Sequence, residues 1–153
     1  MKRVVIMGCG RTGAALAVDL SREGHDVTVL DSDPAAFRFL PDDFVGGRVV
    51  GSGIDVDVME RLLKGRNIDI FVSATRGDNR NVMAAQIAKH LFGVPVAASR
   101  VFDTLREEMY QNLGLRTINP TRVQSKRLKR IIEAESDEEA NEIARQFVEL
   151  EGS

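Results

Sequence analysis

A glycine turn between two short apolar runs constrains this chain more than any other feature. Arg3-Val4-Val5-Ile6-Met7 is followed by Gly8-Cys9-Gly10-Arg11-Thr12-Gly13, then an amphipathic stretch, then Val27-Thr28-Val29-Leu30-Asp31. A strand, a G-x-G-x-x-G turn opening a helix, and a second strand ending in a carboxylate have the spacing of a dinucleotide-binding βαβ unit. Each glycine has its own task. Gly8 permits the tight turn, Gly10 removes a side chain where phosphate approaches the backbone, and Gly13 lets the helix pack close to the strand. The helix N-terminus offers unpaired N–H groups and a partial positive charge to an anion. Asp31, with Ser32 beside it, stands about twenty residues past the glycines, where a carboxylate accepts hydrogen bonds from ribose hydroxyls. An acid there repels a 2′-phosphate and favours NAD over NADP. The competing reading is a glycine turn with a structural role alone, and a turn residue or helix cap at Asp31.

The 153 residues suit one domain with its own core. A formal net charge of −2 calls for neither nucleic acid nor an anionic membrane surface. The one cysteine excludes an internal disulfide and fits a reducing compartment. No basic segment followed by a long apolar stretch opens the chain, so a signal peptide is not expected. No apolar run approaches the ~20 residues that span a bilayer. Any membrane role then runs through a partner.

Strand and helix signals alternate, which predicts an α/β fold: a Rossmann-like, doubly wound parallel sheet of about six strands in the order 3-2-1-4-5-6. A helix is expected over residues 11–22, with Ala14, Leu16, Ala17 and Leu20 inward and Gly24 past its end. A short helix follows at Pro34, capped by Asp33. Residues 40–47 read as a loop, Val49-Val50 as a short strand, and Asp55 as the cap of a helix carrying Val56, Met59, Leu62 and Leu63. Further strands are expected over 68–72, 95–99 and, at an edge, 115–118, with helices over 79–92 and 103–112 between them. After Pro120 no strand signal remains. Val123, Leu128, Ile131 and Ile132 mark one helix; Ser136 and Glu139 have capping-box spacing before a second with Ala140, Ile143, Ala144, Phe147 and Leu150. The expected division is a nucleotide-binding domain over 1–120 and a helical extension over 121–153, crossing to a second subunit or packing on the sheet.

Arg11 sits in the first turn of a helix, where a cation opposes the dipole unless a phosphate is near, and its fork of donors suits phosphate. Thr12 adds a hydroxyl. Cys9 is a small buried filler or a thiol activated by the helix N-terminus. Ser73-Ala74-Thr75-Arg76-Gly77-Asp78-Asn79-Arg80-Asn81 follows the fourth strand, at the edge where open parallel sheets bind ligands. Small Ala74 leaves room there and Thr75 gives a hydroxyl. Asp78 or Asn79 is equally a helix cap. Asp33 and Arg38 are weaker candidates. The basic residues Lys126, Arg127, Lys129 and Arg130 read as the wet face of a helix.

The glycine loop, Asp31, Gly51-Ser52-Gly53 and the stretch from Ala74 to Asn81 together resemble the Trk/Ktr N-terminal domains, also called RCK or KTN domains. Val96-Ala97-Ala98-Ser99-Arg100-Val101 and Leu113-Gly114-Leu115-Arg116-Thr117-Ile118-Asn119-Pro120 resemble the family's later segments. The resemblance implies a homodimer or larger homo-oligomer that binds NAD(H), ATP, ADP or AMP and gates a membrane potassium channel or transporter subunit. It places phosphate at Gly8, Cys9, Gly10, Arg11, Thr12 and Gly13. It places ribose at Asp31, and the remaining contacts at Ser32, Ser52, Gly53, Ala74, Thr75, Arg76 and Asn79, with Arg100 near the mouth. The chain departs from the family at Ser52, where members often carry an acid facing adenine, and at Thr121, where many have Glu. The family's C-terminal regulatory domain has no counterpart, implying a one-domain form or a piece of a longer protein.

The function expected is therefore regulatory and not enzymatic: a cytoplasmic nucleotide-binding subunit, peripheral to the membrane through its partner, with no catalytic or metal residue. The alternatives are an NAD-dependent oxidoreductase module, for which no His, Tyr or Lys stands at an obvious proton-transfer position, and a nucleotide-sensing domain of a larger multidomain protein.

Overall fold

The computed structural model describes residues 1–149, with nothing said of side chains from residue 147 on; the expected apolar positions Phe147 and Leu150 lie outside that description. The elements run β1 (Arg3–Met7), α1 (Arg11–Arg22), β2 (Asp26–Asp31), a 3₁₀ turn (Pro34–Phe39), β3 (Gly47–Val50), α2 (Val56–Leu63), β4 (Ile70–Ser73), α3 (Asp78–Gln86), a π-helical turn (Ile87–Leu91), β5 (Val96–Arg100), α4 (Glu107–Asn112), β6 (Arg116–Ile118), α5 (Pro120–Ile132) and α6 (Asp137–Glu149). The sheet has six strands in the order β3-β2-β1-β4-β5-β6, every pair parallel. The expected topology is therefore the observed one.

Strand alternation feeds two separate cores. Val4 and Ile6 join Val27, Val29, Ala14 and Ala17 on one face, whereas Val5 and Met7 join Leu30, Phe71, Met59, Ala85 and Ala88 on the other. Both faces are covered, as a parallel sheet requires. Phe71 is fully buried and contributes roughly 1.5–3 kcal/mol by leaving water.

Register decides where the strands stop. Met7 pairs with Leu30 on one side and Ser73 on the other, and Ser73 pairs with Ser99. Gly8, Asp31, Ala74 and Arg100 thus each lie one residue past a common row, on the C-terminal edge of the sheet. The strand order reverses between β1 and β4, which is where such sheets open a crevice.

Several boundaries differ from expectation, each because of a particular hydrogen bond. β4 begins at Ile70 because the Asp69 carboxylate accepts the Arg3 N–H at 2.8 Å. α3 is capped by Gly77, with no side-chain cap, because the Asp78 carboxylate accepts the N–H groups of Phe102 and Asp103 at 2.9 and 2.8 Å. Asp103 closes a turn onto Leu105 and Arg106, so α4 starts only at Glu107.

The chain divides into two compact units, one over Met1–Ile118 and one from Asn119 onward. In the second, Asn119 caps α5 through Arg122 N–H at 3.0 Å, and the Arg127 guanidinium donates to the Ala144 carbonyl of α6. Ser136 Oγ accepts Glu139 N–H at 3.2 Å, while the Glu139 carboxylate reaches back to Glu135 N–H at 2.8 Å. Val123, Leu128 and Ile132 are exposed and Ile131 is half-buried, so most of the expected apolar stripe of α5 is not buried.

Gly13 shows how tightly α1 approaches β1. A Cβ there stands 1.8 Å from the Gly8 carbonyl oxygen. The backbone must move to admit a methyl group. Gly13→Ala is expected to destabilise the chain by about 2 kcal/mol or more, read as a shift of the urea midpoint.

Candidate functional site

The C-terminal edge of the sheet opens a cleft of about 760 Å³. Its floor is the glycine loop. Gly8 has φ +105°, and a Cβ on it stands 3.0 Å from the Ala74 and Thr75 backbone, so no other residue fits without strain. At Gly10 a Cβ meets nothing within 4 Å, so space is open above the backbone. Gly10 caps α1 with no side-chain hydrogen bond, and no acid stands in the first turn. The helix end is left for an anion.

Asp31 does more than stand beside the loop. Its Oδ2 accepts the Cys9 N–H at 2.7 Å and its Oδ1 accepts the Asp33 N–H at 2.9 Å. One carboxylate therefore fixes the glycine loop against the end of β2 and keeps lone pairs for a ligand. Asp33 in turn caps the 3₁₀ turn through Ala35 N–H at 2.9 Å. Gly51 and Gly53 are also tightly packed, a Cβ at Gly51 standing 2.9 Å from Val58 Cγ1. A Cβ at Gly53 stands 2.1 Å from the Met7 sulfur.

The opposite wall is built around Asn81, which is fully buried. Its Oδ1 accepts the Thr75 N–H at 2.9 Å and the Thr75 hydroxyl at 2.6 Å. Its Nδ2 donates to the carbonyls of Thr75 at 2.8 Å and Arg100 at 3.0 Å. Arg100 Nη2 donates to the same Thr75 carbonyl at 2.7 Å, and its guanidinium lies 4.8 Å over the Phe102 ring. Burial pushes the Arg100 guanidinium below its usual range; Asp78 partly offsets this and the neighbouring Arg76 cation adds to it.

Of the residues expected at a site, Gly8, Cys9, Gly10, Arg11, Thr12, Asp31, Ser32, Ser52, Gly53, Ala74, Thr75, Arg76 and Arg100 line this cleft together. Gly13 lies beneath the loop, against Gly8. Asn79 faces away, its Oδ1 accepting from Arg106 at 3.4 Å. Arg80, Phe102, Arg38 and Phe39 also line the cleft. Arg80 belongs to the stretch after the fourth strand that the sequence singled out, and its place in the first turn of α3 brings it to the cleft. Asn81 carried no signal for its role, because its importance depends on backbone groups that only the tertiary fold delivers. Among the described residues, no group of three or more His, Cys, Asp or Glu is placed to hold a metal ion.

A doubly wound sheet with a glycine loop and a terminal acid at its switch point defines a Rossmann-like domain. The TrkA-N domain family matches residues 4–120, and the chain belongs to that family. It is 44% identical over 119 residues to the Trk system potassium uptake protein TrkA of Streptomyces coelicolor, covering 78% of this chain and 53% of that protein. It is 30% identical over 130 residues to a TrkA homologue of Methanothermobacter thermautotrophicus, covering 84% and 59%. The chain thus spans about half the length of these relatives. The TrkA-N domain of Escherichia coli inner membrane protein ybaL superposes with a TM-score of 0.73 at 12% identity, over 86% of this chain and 97% of that one. The Kef C-terminal domain of Shewanella denitrificans, in AMP-bound form, superposes with 0.71 at 21% identity, over 98% and 93%.

Two consequences follow for individual side chains. Asn81→Ala removes the partner of the Thr75 N–H and hydroxyl and of the Arg100 carbonyl, while the Thr75 carbonyl keeps Arg100 Nη2, and is expected to cost about 3 kcal/mol in urea denaturation. Cys9 is fully buried, and burial first, then Asp31, pushes its thiol up to about 11. That is the filler rather than the activated thiol. Iodoacetamide at pH 8 should modify folded Cys9 about a hundredfold more slowly than the urea-unfolded chain. The folded state holds the proton more tightly. This contribution to stability is complete below the unfolded thiol pKa and is lost as pH rises towards 11.

Proposed function

We propose that this domain is a regulatory adenine-nucleotide sensor of a potassium-uptake system, taking NAD(H) or ATP, ADP or AMP. One observation carries the reading: a glycine loop open above Gly10, the Asp31 carboxylate and an arginine-bearing wall face one cleft at the switch point of the sheet. The glycine loop and the α1 N-terminus would hold phosphate, with Arg11 and Thr12 beside them. Asp31 would hold ribose, and Gly51, Ser52 and Gly53 would border the base. Relatives named as potassium uptake proteins and a similar fold in AMP-bound form support this assignment.

The mechanism is differential binding. A nucleotide that prefers one arrangement of a homo-oligomer shifts its population, and without such a preference nothing is gated. The partner is a membrane potassium channel or transporter subunit, and the domain works on the cytoplasmic side through that partner. Among the described residues no helix is long and apolar enough to cross a membrane.

Structures of enzymes such as WbmH of Bordetella bronchiseptica in complex with NAD+ share the fold at 22% identity and a TM-score of 0.54, which speaks for the fold alone. Glycines, arginines and aspartates dominate this cleft, and we assign no reaction to it.

Calorimetry with NAD+, NADH, ATP, ADP and AMP tests the assignment, together with mass spectrometry of nucleotide retained through purification. At least one should bind below about millimolar concentration, and none doing so overturns it. Asp31→Ala should weaken that binding by roughly 1–3 kcal/mol, through lost hydrogen bonds to a charged group. Unchanged affinity removes Asp31 from the site.

A further inference from the structure

We infer that the cleft selects an adenosine polyphosphate over a dinucleotide, with Arg76 and Arg80 as its specificity residues. The inference rests on the nucleotide assignment above and concerns which end of the ligand the chain reads.

The strand order sorts charge along the sheet edge. Both cleft acids, Asp31 and Asp33, lie at the β2 end. One cation, Arg38 of the 3₁₀ turn, stands at that end with them, whereas Arg76 follows β4, Arg80 sits in the first turn of α3 and Arg100 ends β5. The glycine loop, with Arg11 at the start of α1, lies between the two ends. Neighbouring strands are about 4.8 Å apart, so the acid end and the far arginine are roughly 14 Å apart, three strand steps across. A ligand with ribose at Asp31 and its first phosphate over the glycine loop directs what comes next among the arginines.

Those cations have little to balance them. Among the described residues, none of Arg11, Arg76, Arg80 and Arg100 has an ion pair. Asp78, which partly offsets the charge of Arg100, is turned to the Phe102 and Asp103 N–H groups. Arg76 and Arg100 repel one another enough to disfavour the Arg100 cation further, and the buried Arg100 Nε has no hydrogen-bond partner. Like charges gathered at one wall are relieved by an anion of high charge. Successive phosphates supply it with oxygens that match guanidinium forks. A nicotinamide ring, neutral or cationic, supplies neither.

Calorimetry on the full chain at fixed low ionic strength, with ATP, ADP, AMP, NAD+ and NADH, decides the matter. The expected order is ATP tighter than ADP, ADP tighter than AMP, and ATP tighter than either dinucleotide by about tenfold or more, with the gap narrowing as salt is raised. Arg76 and Arg80 are exposed, so the double variant R76Q/R80Q leaves the core intact. It should weaken ATP about tenfold and AMP by less than about threefold, because two exposed charge contacts are worth about that much. A dinucleotide bound as tightly as ATP, or equal losses for ATP and AMP in the variant, overturns this inference and leaves the nucleotide site standing. No binding by any of the five overturns both.

Discussion

The contact between Gly13 and the Gly8 carbonyl sets the terms for everything above it. With no side chain at Gly13, the first turn of α1 rests directly on the end of β1. The helix end then points along the sheet edge, and Gly8 turns with a positive φ that seats it against the Ala74 and Thr75 backbone. The Cys9 N–H is delivered to Asp31 as a consequence. Loop, helix end and acid are one rigid assembly, and the acid that faces a ligand also fixes the loop that would bind its phosphate. Pre-organisation of this kind lowers the ordering cost of binding.

The other wall is ordered by a different device. Asn81 spends all its hydrogen-bonding capacity on Thr75 and Arg100, and Asp78 clamps the start of the segment after β5. An amide in a buried setting costs free energy when unpaired, so a fully satisfied one specifies a single arrangement. The cleft is therefore stiff on both sides, with its acids at one end and Arg76, Arg80 and Arg100 at the other. Two buried cores beneath it hold the strand ends level, and without that level row Gly8, Asp31, Ala74 and Arg100 would not share an edge.

Much of this was legible in the chain itself. The βαβ unit and the caps at Asp33 and Asp55 are local or periodic features, and they stand where expected; the strand order follows the usual one for such alternating chains. Two of the boundaries that moved are governed by distant groups. Asp69 serves Arg3, and Asp78 serves Phe102 and Asp103, so neither residue played the part that its neighbours in sequence suggested. Asn79 was expected in the cleft and faces Arg106, because one residue step along a helix turns a side chain by about 100°. Arg80 lines the cleft by the same geometry.

Periodicity and glycine spacing by themselves determined the alternation of strands and helices and the glycine loop with its acid, since these depend on which residues can turn, alternate and pack within about thirty positions. Tertiary structure alone decided that the Cys9 side chain is buried, that Asn81 holds the far wall, and that Arg76, Arg80 and Arg100 gather at one end of the cleft. The physical reason is distance along the chain. Burial, charge sorting and the fate of backbone hydrogen bonds are set by which strand ends the sheet brings level, and residues far apart in sequence become neighbours only there.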